Sequence, residues 1–477
     1  MNHRYTFFFL FCLSTFVIFS SASAQTFDKY FHDQTMRIDL YHAGTKGTET
    51  LSLDKVYVEG AWPGSIINLL DTLNLGEYIV RVYDRQSGSL IYSRGYSCLF
   101  NEWQTTDEAL AGVYRTFHET VRIPYPERPI QVTISKRDKY MDFHEMFSTA
   151  IDPNSPTEIH REKFTPQFKV VPLVEKGSPH EKVDILVLGD GYRKEDLPKF
   201  RNDAKHFNDV MFSTSPFKER KDDFNVWTIE VISPDSGIDK PDKNIWKRTA
   251  LGTQYNSFGS ARYVLTDENR ALRDIAGAAP YDFIIILVND DRYGGGGIYN
   301  LYSTCYANPD NPSQAWERDY VYVHEFGHSF AGLGDEYYSS QVSYTDFYPK
   351  GVEPWEPNLT ALTDKEHLKW KKFVSDGIAI PTPWDKSTYD SLTGEQRKLD
   401  RLASDYYAKR EPLYQAEEKV LRNPSLAGKV GAFEGAGYSA TGIYRPSLDC
   451  RMFSLSLVGF DPVCSDAISR EIDFYAH

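Results

Sequence analysis

His324-Glu325-Phe326-Gly327-His328 is the stretch whose reading decides the fold. Residues four apart on an α-helix share one face, one turn apart, so the two imidazoles can reach the same metal ion. Glu325, beside the first histidine, then faces the open coordination position. There a carboxylate can take a proton from water and pass it to a leaving amine. This is the arrangement of a zinc (Zn2+) peptidase. The rival reading is a surface helix with two histidines and an incidental glutamate, and the context opposes it. Upstream, Asn311, Pro312 and Gln314 supply an N-cap, a first-turn proline and a capping box. Trp316, Tyr320, Val321 and Val323 carry the helix into the histidines, and Gly332 and Gly334 stop it. Asp335 and Glu336 follow at once. A carboxylate delivered by this turn is the expected third zinc ligand. Asp335 is preferred because the glycine turn presents it first, and Glu336 is its rival.

The chain has 477 residues, 41% hydrophobic and 25% charged, which suits a globular protein of two or three domains. Its 32 tyrosines and 29 phenylalanines favour strand-rich structure. A net charge of -14 without a long basic run argues against nucleic acid as a partner. Residues 1–24 read as a cleaved signal peptide: His3 and Arg4, an apolar run from Thr6 to Phe19, then Ala22-Ser23-Ala24 before Gln25. The run falls short of the roughly 20 residues that span a bilayer. Cys12 lies inside it and away from the small-residue site, which argues against a lipid anchor. The expected location is secreted, periplasmic or at the cell surface, with no stable membrane insertion after cleavage. Cys98, Cys305, Cys450 and Cys464 then remain. Cys450 and Cys464 are the expected disulfide because the loop between them is short, with buried free thiols as the alternative. The spacing disfavours a four-cysteine zinc site.

Residues 25–165 read as an all-β sandwich. Met36–Tyr41, Tyr78–Tyr83 and Ile130–Ile134 alternate apolar and polar residues, and turn signals such as Ser87-Gly88 separate them. Residues 166–477 change character. Val183–Leu188, Phe224–Ile232 and Phe283–Val288 are strongly apolar strands, with helical patterns over Glu195–Met211 and Asp267–Ile275 between them. That order argues for an α/β sheet. Gly294–Gly297 suits an edge strand onto which an extended substrate could pair, or else a mobile loop. Residues 385–424 read as an inserted helical pair, charged and helical in pattern, of which Glu395–Leu402 and Tyr414–Leu421 are typical. Met452 stands out, being one of only 6 methionines and set in a turn-like context; the alternative is a core methionine.

Together the motifs resemble the bacterial IgA metallopeptidase family of the metzincin clan. The resemblance rests on His324–His328, then Gly332–Tyr337, Gly435–Tyr438, Tyr444-Arg445-Pro446, Cys450-Arg451-Met452 and Pro462-Val463-Cys464. It covers the chain from about residue 168 onward. It implies an N-terminal β-sandwich followed by a metzincin-like α/β zinc peptidase domain, with a protein or peptide as substrate. It also implies His324, His328 and Asp335 as zinc ligands, Glu325 as general base and Met452 as the methionine turn beneath the metal. The usual metzincin glycine position is occupied by Ala331, and glycine and ligand come one residue late, at Gly332 and Asp335. Tyr438 or Tyr444 is the candidate for stabilising an oxyanion. Two other functions remain open at this level. A surface protein could bind glycan or protein through the sandwich with an inactive zinc domain, although the intact His–Glu–His set opposes this. A zinc amidase acting on cell-wall peptides would differ in the shape of its cleft.

Overall fold

A computed structural model describes residues 26–162, 169–308, 315–338, 347–399, 405–456 and 458–477. The expected signal peptide, the capping run Asn311–Gln314 and the boundary at 165/166 lie outside the described residues. The N-terminal region holds β1 (Phe31–Thr45), β2 (Thr48–Val58), β3 (Tyr78–Asp84), β4 (Leu90–Tyr96), β5 (Arg115–Pro126), β6 (Ile130–Arg137), β7 (Phe143–Ile151) and β8 (Ile159–His160). Three short helices accompany them: α1 (Phe27–Tyr30), α2 (Leu99–Trp103) and α3 (Asp107–Leu110). The strands form two four-stranded sheets, ordered β5-β1-β2-β8 and β4-β3-β6-β7. Side chains alternate across a strand. Met36, Ile38 and Leu40 of β1, Tyr78, Val80 and Val82 of β3, and Ile130, Val132 and Ile134 of β6 therefore enter one apolar cluster.

The second region is built on a six-stranded sheet, ordered β13-β14-β12-β10-β11-β9. Its strands are β9 (Val170–Val174), β10 (Val183–Asp190), β11 (Phe224–Ile229), β12 (Phe283–Val288), β13 (Gly295–Ile298) and β14 (Tyr302–Tyr306). The inner pairs are parallel, and β9 and β13 run antiparallel at the two edges. β10 and β12 are buried at every residue, which is why β12 and the Ile185–Leu188 part of β10 read as apolar runs. Helices α4 (Leu197–Met211), α5 (Asn269–Ala276), α6 (Ala315–Ala331), α7 (Lys386–Gln396), α8 (Tyr406–Leu421) and α9 (Pro462–Tyr475) complete it, with a hairpin of β15 (Val430–Ala436) and β16 (Ser439–Ser447). Among the described residues no helix is long and apolar enough to cross a membrane.

α7 and α8 fall within 385–424, the span read as a helical pair, and residues 400–402 of the stretch Glu395–Leu402 lie outside the described residues. α7 starts at Lys386, where Asp385 accepts the Thr388 N–H at 3.3 Å, and it ends at Gln396. Tyr389 anchors it between Trp384 and Phe453, with ring centroids 5.6 and 5.4 Å away.

The two regions share a polar seam. Arg37 and Asp39, on the face of β1 opposite its apolar residues, are both buried. The Arg37 guanidinium donates twice to Asp39, at 2.8 and 2.7 Å, and once to Asp274 of α5 at 2.7 Å. Arg94 of β4 pairs with Glu471 of α9 and lies 4.6 Å from the Phe474 ring. Arg122 sits 3.7 Å from the Tyr281 ring centroid.

Asp184, at the start of β10, leads to a prediction about stability. Its Oδ1 accepts from Trp227 Nε1 at 2.5 Å and from Asn225 Nδ2 at 3.2 Å. Burial nevertheless pushes the carboxyl up from 3.8 to about 7. A carboxyl protonated in the fold and ionised in the open chain favours the fold at low pH, and that advantage is lost as pH rises from about 4 through about 7. Asp184→Asn keeps the acceptor oxygen and removes the proton. Urea unfolding between pH 4 and 8 is expected to show a flatter pH dependence and greater stability at pH 8 than in the parent. An unchanged slope would mean that Asp184 is not the group responsible.

Candidate metal centre

α6 is held against the sheet by its apolar side. Phe330 stacks within 4.7 Å of Phe283 on β12, and Phe217 packs 5.6 Å from Phe326. The helix stops at Gly332, whose φ of +60° gives the left-handed turn that glycine adopts without strain, and whose N–H donates to His328 O at 3.1 Å. The turn brings the chain back across the helix face, so that Asp335 meets the two histidines. His324 Nε2 and His328 Nε2 are 3.2 Å apart, and Asp335 Oδ1 lies 3.0 and 3.2 Å from them. A tetrahedral ion with bonds of about 2.0–2.1 Å sets its donors about 3.3 Å apart, so the triangle fits.

The protons point outward from this triangle. His324 Nδ1 faces the Arg451 carbonyl at 3.1 Å, and His328 Nδ1 faces the Leu333 carbonyl at 2.5 Å. With Nδ1 donating, each Nε2 turns a lone pair inward. Asp335 Oδ1 is a buried oxygen with no hydrogen-bond partner. Three lone pairs thus meet where only a cation relieves them. Burial opposes a charge on His328, but Asp335 outweighs it and raises the imidazole to about 9. Burial likewise opposes ionisation of Asp335, and His328 and His324 overcome it, holding the carboxyl well below the usual range. The site therefore attracts positive charge, and a metal ion would take the place of that proton.

Glu325 offers a carboxylate oxygen within 4.8 Å of the imidazole nitrogens. Loss of water around it raises its carboxyl, with His324 and His328 opposing the shift. The glycines of β13 explain this closeness. A Cβ on Gly295 would come 2.9 Å from Glu325 Cγ, and one on Gly297 would come 2.9 Å from His328 Cβ. Only bare backbone lets the strand press against the helix here. β13 is the edge strand expected from the glycine run, yet its outer side is not free at Gly295. Gly295 donates to Arg262 O at 3.2 Å and accepts from Val264 N at 3.1 Å. Residues 262–264 thus occupy the edge at Gly295, while Gly297 and Ile298 line the cleft beside Glu325 and His328.

Met452 is buried below the helix, and a Cβ on Gly327 would meet its sulfur at 3.3 Å. Its carbonyl accepts from the Glu336 N–H at 2.9 Å, which ties the turn after the helix to the methionine segment. Of the two carboxylates after the glycine turn, only Asp335 faces the histidines. Glu336 turns away, and its Oε1 accepts from Asn358 at 2.9 Å. Tyr438 lines the cleft and donates to Asp335 Oδ2 at 2.6 Å. Tyr444 is placed elsewhere: its backbone pairs with Thr360 and its phenol is held by Glu434. The expected Cys450–Cys464 disulfide is also corrected. The sulfurs are neighbours but 3.7 Å apart as free thiols, well beyond the bonding distance of about 2.05 Å.

Sequence reasoning did not single out four contributors. Tyr320 and Tyr337 stack on either side of His324, with centroids 5.4 and 6.3 Å away. Arg451 supplies the carbonyl that orients His324, and Arg262 donates to the Tyr337 hydroxyl at 3.1 Å. Tyr320 sits four residues before His324 on the same helix face, so its position alone was a usable signal. The N-terminal region also reaches the cleft: Ser97, Asn101 and Glu102 line it beside Glu325 and His328, and Glu102 accepts from the Tyr263 hydroxyl.

Two comparisons with known families match this chain. A family model described as IgA Peptidase M64 matches residues 171–472, and one described as Peptidase M64 N-terminus matches residues 26–148. No curated protein matches the chain.

Proposed function

The chain belongs to the IgA peptidase M64 family and is a metallopeptidase, and on that premise we propose that it is an exported, zinc-dependent endopeptidase cutting peptide bonds within proteins. In this reading residues 1–24 direct export, residues 25–165 form a β-sandwich, and residues 166–477 form a metzincin-like peptidase domain with a helical insertion at 385–424. His324, His328 and Asp335 hold the zinc. The observation that carries the reading is the convergence of their three donor atoms within 3.2 Å of one another, beside a glutamate.

A zinc ion there would supply Lewis acidity toward the scissile carbonyl and lower the pKa of an attacking water. Glu325 accepts the proton of that water and returns it to the departing amine, a role suited to a carboxyl whose affinity for protons is raised by burial. Tyr320 and Tyr337 keep the His324 ring in plane, and the Arg451 and Leu333 carbonyls keep the Nε2 atoms turned inward. Met452 supports the helix from below. The N-terminal region contributes one wall of the cleft, which makes it part of substrate recognition.

Incubation with a mixed peptide library should give internal cleavages that a chelator abolishes and added zinc restores. Failure of zinc-loaded protein to cut any peptide would overturn the reading. Tyr438→Phe tests the phenol that binds Asp335. Loss of this outer hydrogen bond is expected to weaken zinc binding by about 10–100-fold, as such partners do. Competition with a chromogenic chelator measures it. A fall in kcat at unchanged zinc affinity would instead assign Tyr438 to the oxyanion.

A further inference from the structure

We propose that Glu336, Cys450, Asp461 and Cys464 form a second metal site, for a thiophilic divalent cation of the zinc class, distinct from the histidine site. All four residues are buried, and each offers a donor atom within 4.8 Å of the others. The spacing is that of ligands. Two thiolates on one tetrahedral ion, with bonds of about 2.3 Å, lie about 3.8 Å apart, and these sulfurs are 3.7 Å apart. Cys464 Sγ and Glu336 Oε1 are 3.3 Å apart, close to the sulfur–oxygen edge of about 3.5 Å in the same polyhedron.

The hydrogen bonds leave one donor over on each carboxylate. Glu336 Oε1 accepts from Asn358 at 2.9 Å and from the Cys464 thiol at 3.3 Å, the contact a metal would replace, and Oε2 has no partner. Asp461 Oδ1 caps α9 by accepting the Val463 and Cys464 N–H groups at 2.8 Å, and Oδ2 has no partner. A buried carboxylate oxygen without a partner is costly, and here two of them lie beside two sulfurs whose hydrogen bonds are long, at 3.3–3.7 Å. Arg445, whose charge acts on Glu336, donates to the Gly435 and Leu448 carbonyls at 2.6 and 3.0 Å and to neither carboxylate. Around Cys450 Sγ the backbone N–H groups of Asp461 and Met452 approach to 3.4 and 3.5 Å, which offsets part of the burial that pushes the thiol up. An ion held here would staple three segments: the turn that presents Asp335, the turn that carries Met452, and the first turn of α9. It is a structural site, since all four donors are used and none is left open for substrate.

The sulfur donors make the test independent of the histidine site. Full-length protein, produced with zinc and without chelator, is expected to carry two zinc ions per chain. Its X-ray absorption spectrum should contain a zinc–sulfur shell at about 2.3 Å, which nitrogen and oxygen donors cannot give. Cys450→Ser with Cys464→Ser should retain one zinc and lose the sulfur shell; His324→Ala should lose one zinc and keep it. Should the double variant fail to fold, the parent decides alone through its absorption spectrum and mass-spectrometric mapping of alkylated cysteines. A Cys450–Cys464 disulfide in the zinc-supplied protein, or zinc with no sulfur neighbour, would overturn the proposal. A sulfur shell in protein that cuts no peptide would uphold it while the endopeptidase reading fell.

Discussion

Glu325→Gln is expected to lower peptide hydrolysis by on the order of 10³-fold while leaving bound zinc unchanged. General acid–base groups contribute about 10²–10⁴-fold, and in the proposed mechanism one carboxylate serves both proton transfers. The amide has nearly the same volume, so α6 keeps its seat against the bare backbone of Gly295 and Gly297. It takes no proton from water at neutral pH, and it removes no ligand. Single-turnover assays with metal analysis of the same sample separate the two effects. Hydrolysis within a few-fold of the parent would remove Glu325 from the mechanism, and loss of zinc would make it a ligand.

His324→Ala and His328→Ala are each expected to abolish both catalytic zinc and hydrolysis. The donors form a closed triangle, so deleting one leaves two buried groups and an unsatisfied partner carbonyl, either Arg451 or Leu333. The loss of affinity should exceed the roughly 10–100-fold typical of an outer partner. Asp335→Ala is expected to act in the same direction and more strongly than Glu336→Ala, because Glu336 faces Asn358 and Cys464. The zinc concentration that restores hydrolysis to dialysed protein is the measure. Restoration of His324→Ala at the parent's concentration would sink the ligand assignment. A larger demand in Glu336→Ala than in Asp335→Ala would exchange the two carboxylates.

Much of the centre was legible because its chemistry is local. The histidines, their glutamate and the glycine turn lie within twelve residues, and helical spacing alone places them. β12 was legible for a similar reason, as an unbroken apolar run marks a strand covered on both faces. What escaped depends on partners far away in sequence. The carbonyl of Arg451 orients His324 across 127 residues, and a backbone acceptor has no signature in the residue type. The edge of β13 looked open because the glycines say that a backbone approaches, not whose; Arg262 and Val264 supply it. Alternation in β1 identified a polar face correctly, but Arg37 and Asp39 lie against a second layer of protein and not against water. The cysteines were read as a bonded pair from a short loop, and their carboxylate neighbour Glu336 comes from 128 residues before Cys464.

The pairing of Arg94 with Glu471 has a consequence in time. A ribosome makes the first of these residues 377 residues before the second. The helix bearing the histidines also emerges well before Arg451 and Met452, which orient it and support it from below. A half-made chain can therefore wind the motif but cannot aim it, and in its N-terminal sheets Arg94 has Asp71, 3.7 Å away, as a partner before Glu471 arrives. The contacts that aim and support the motif are complete only once residues 451 and 452 have been made.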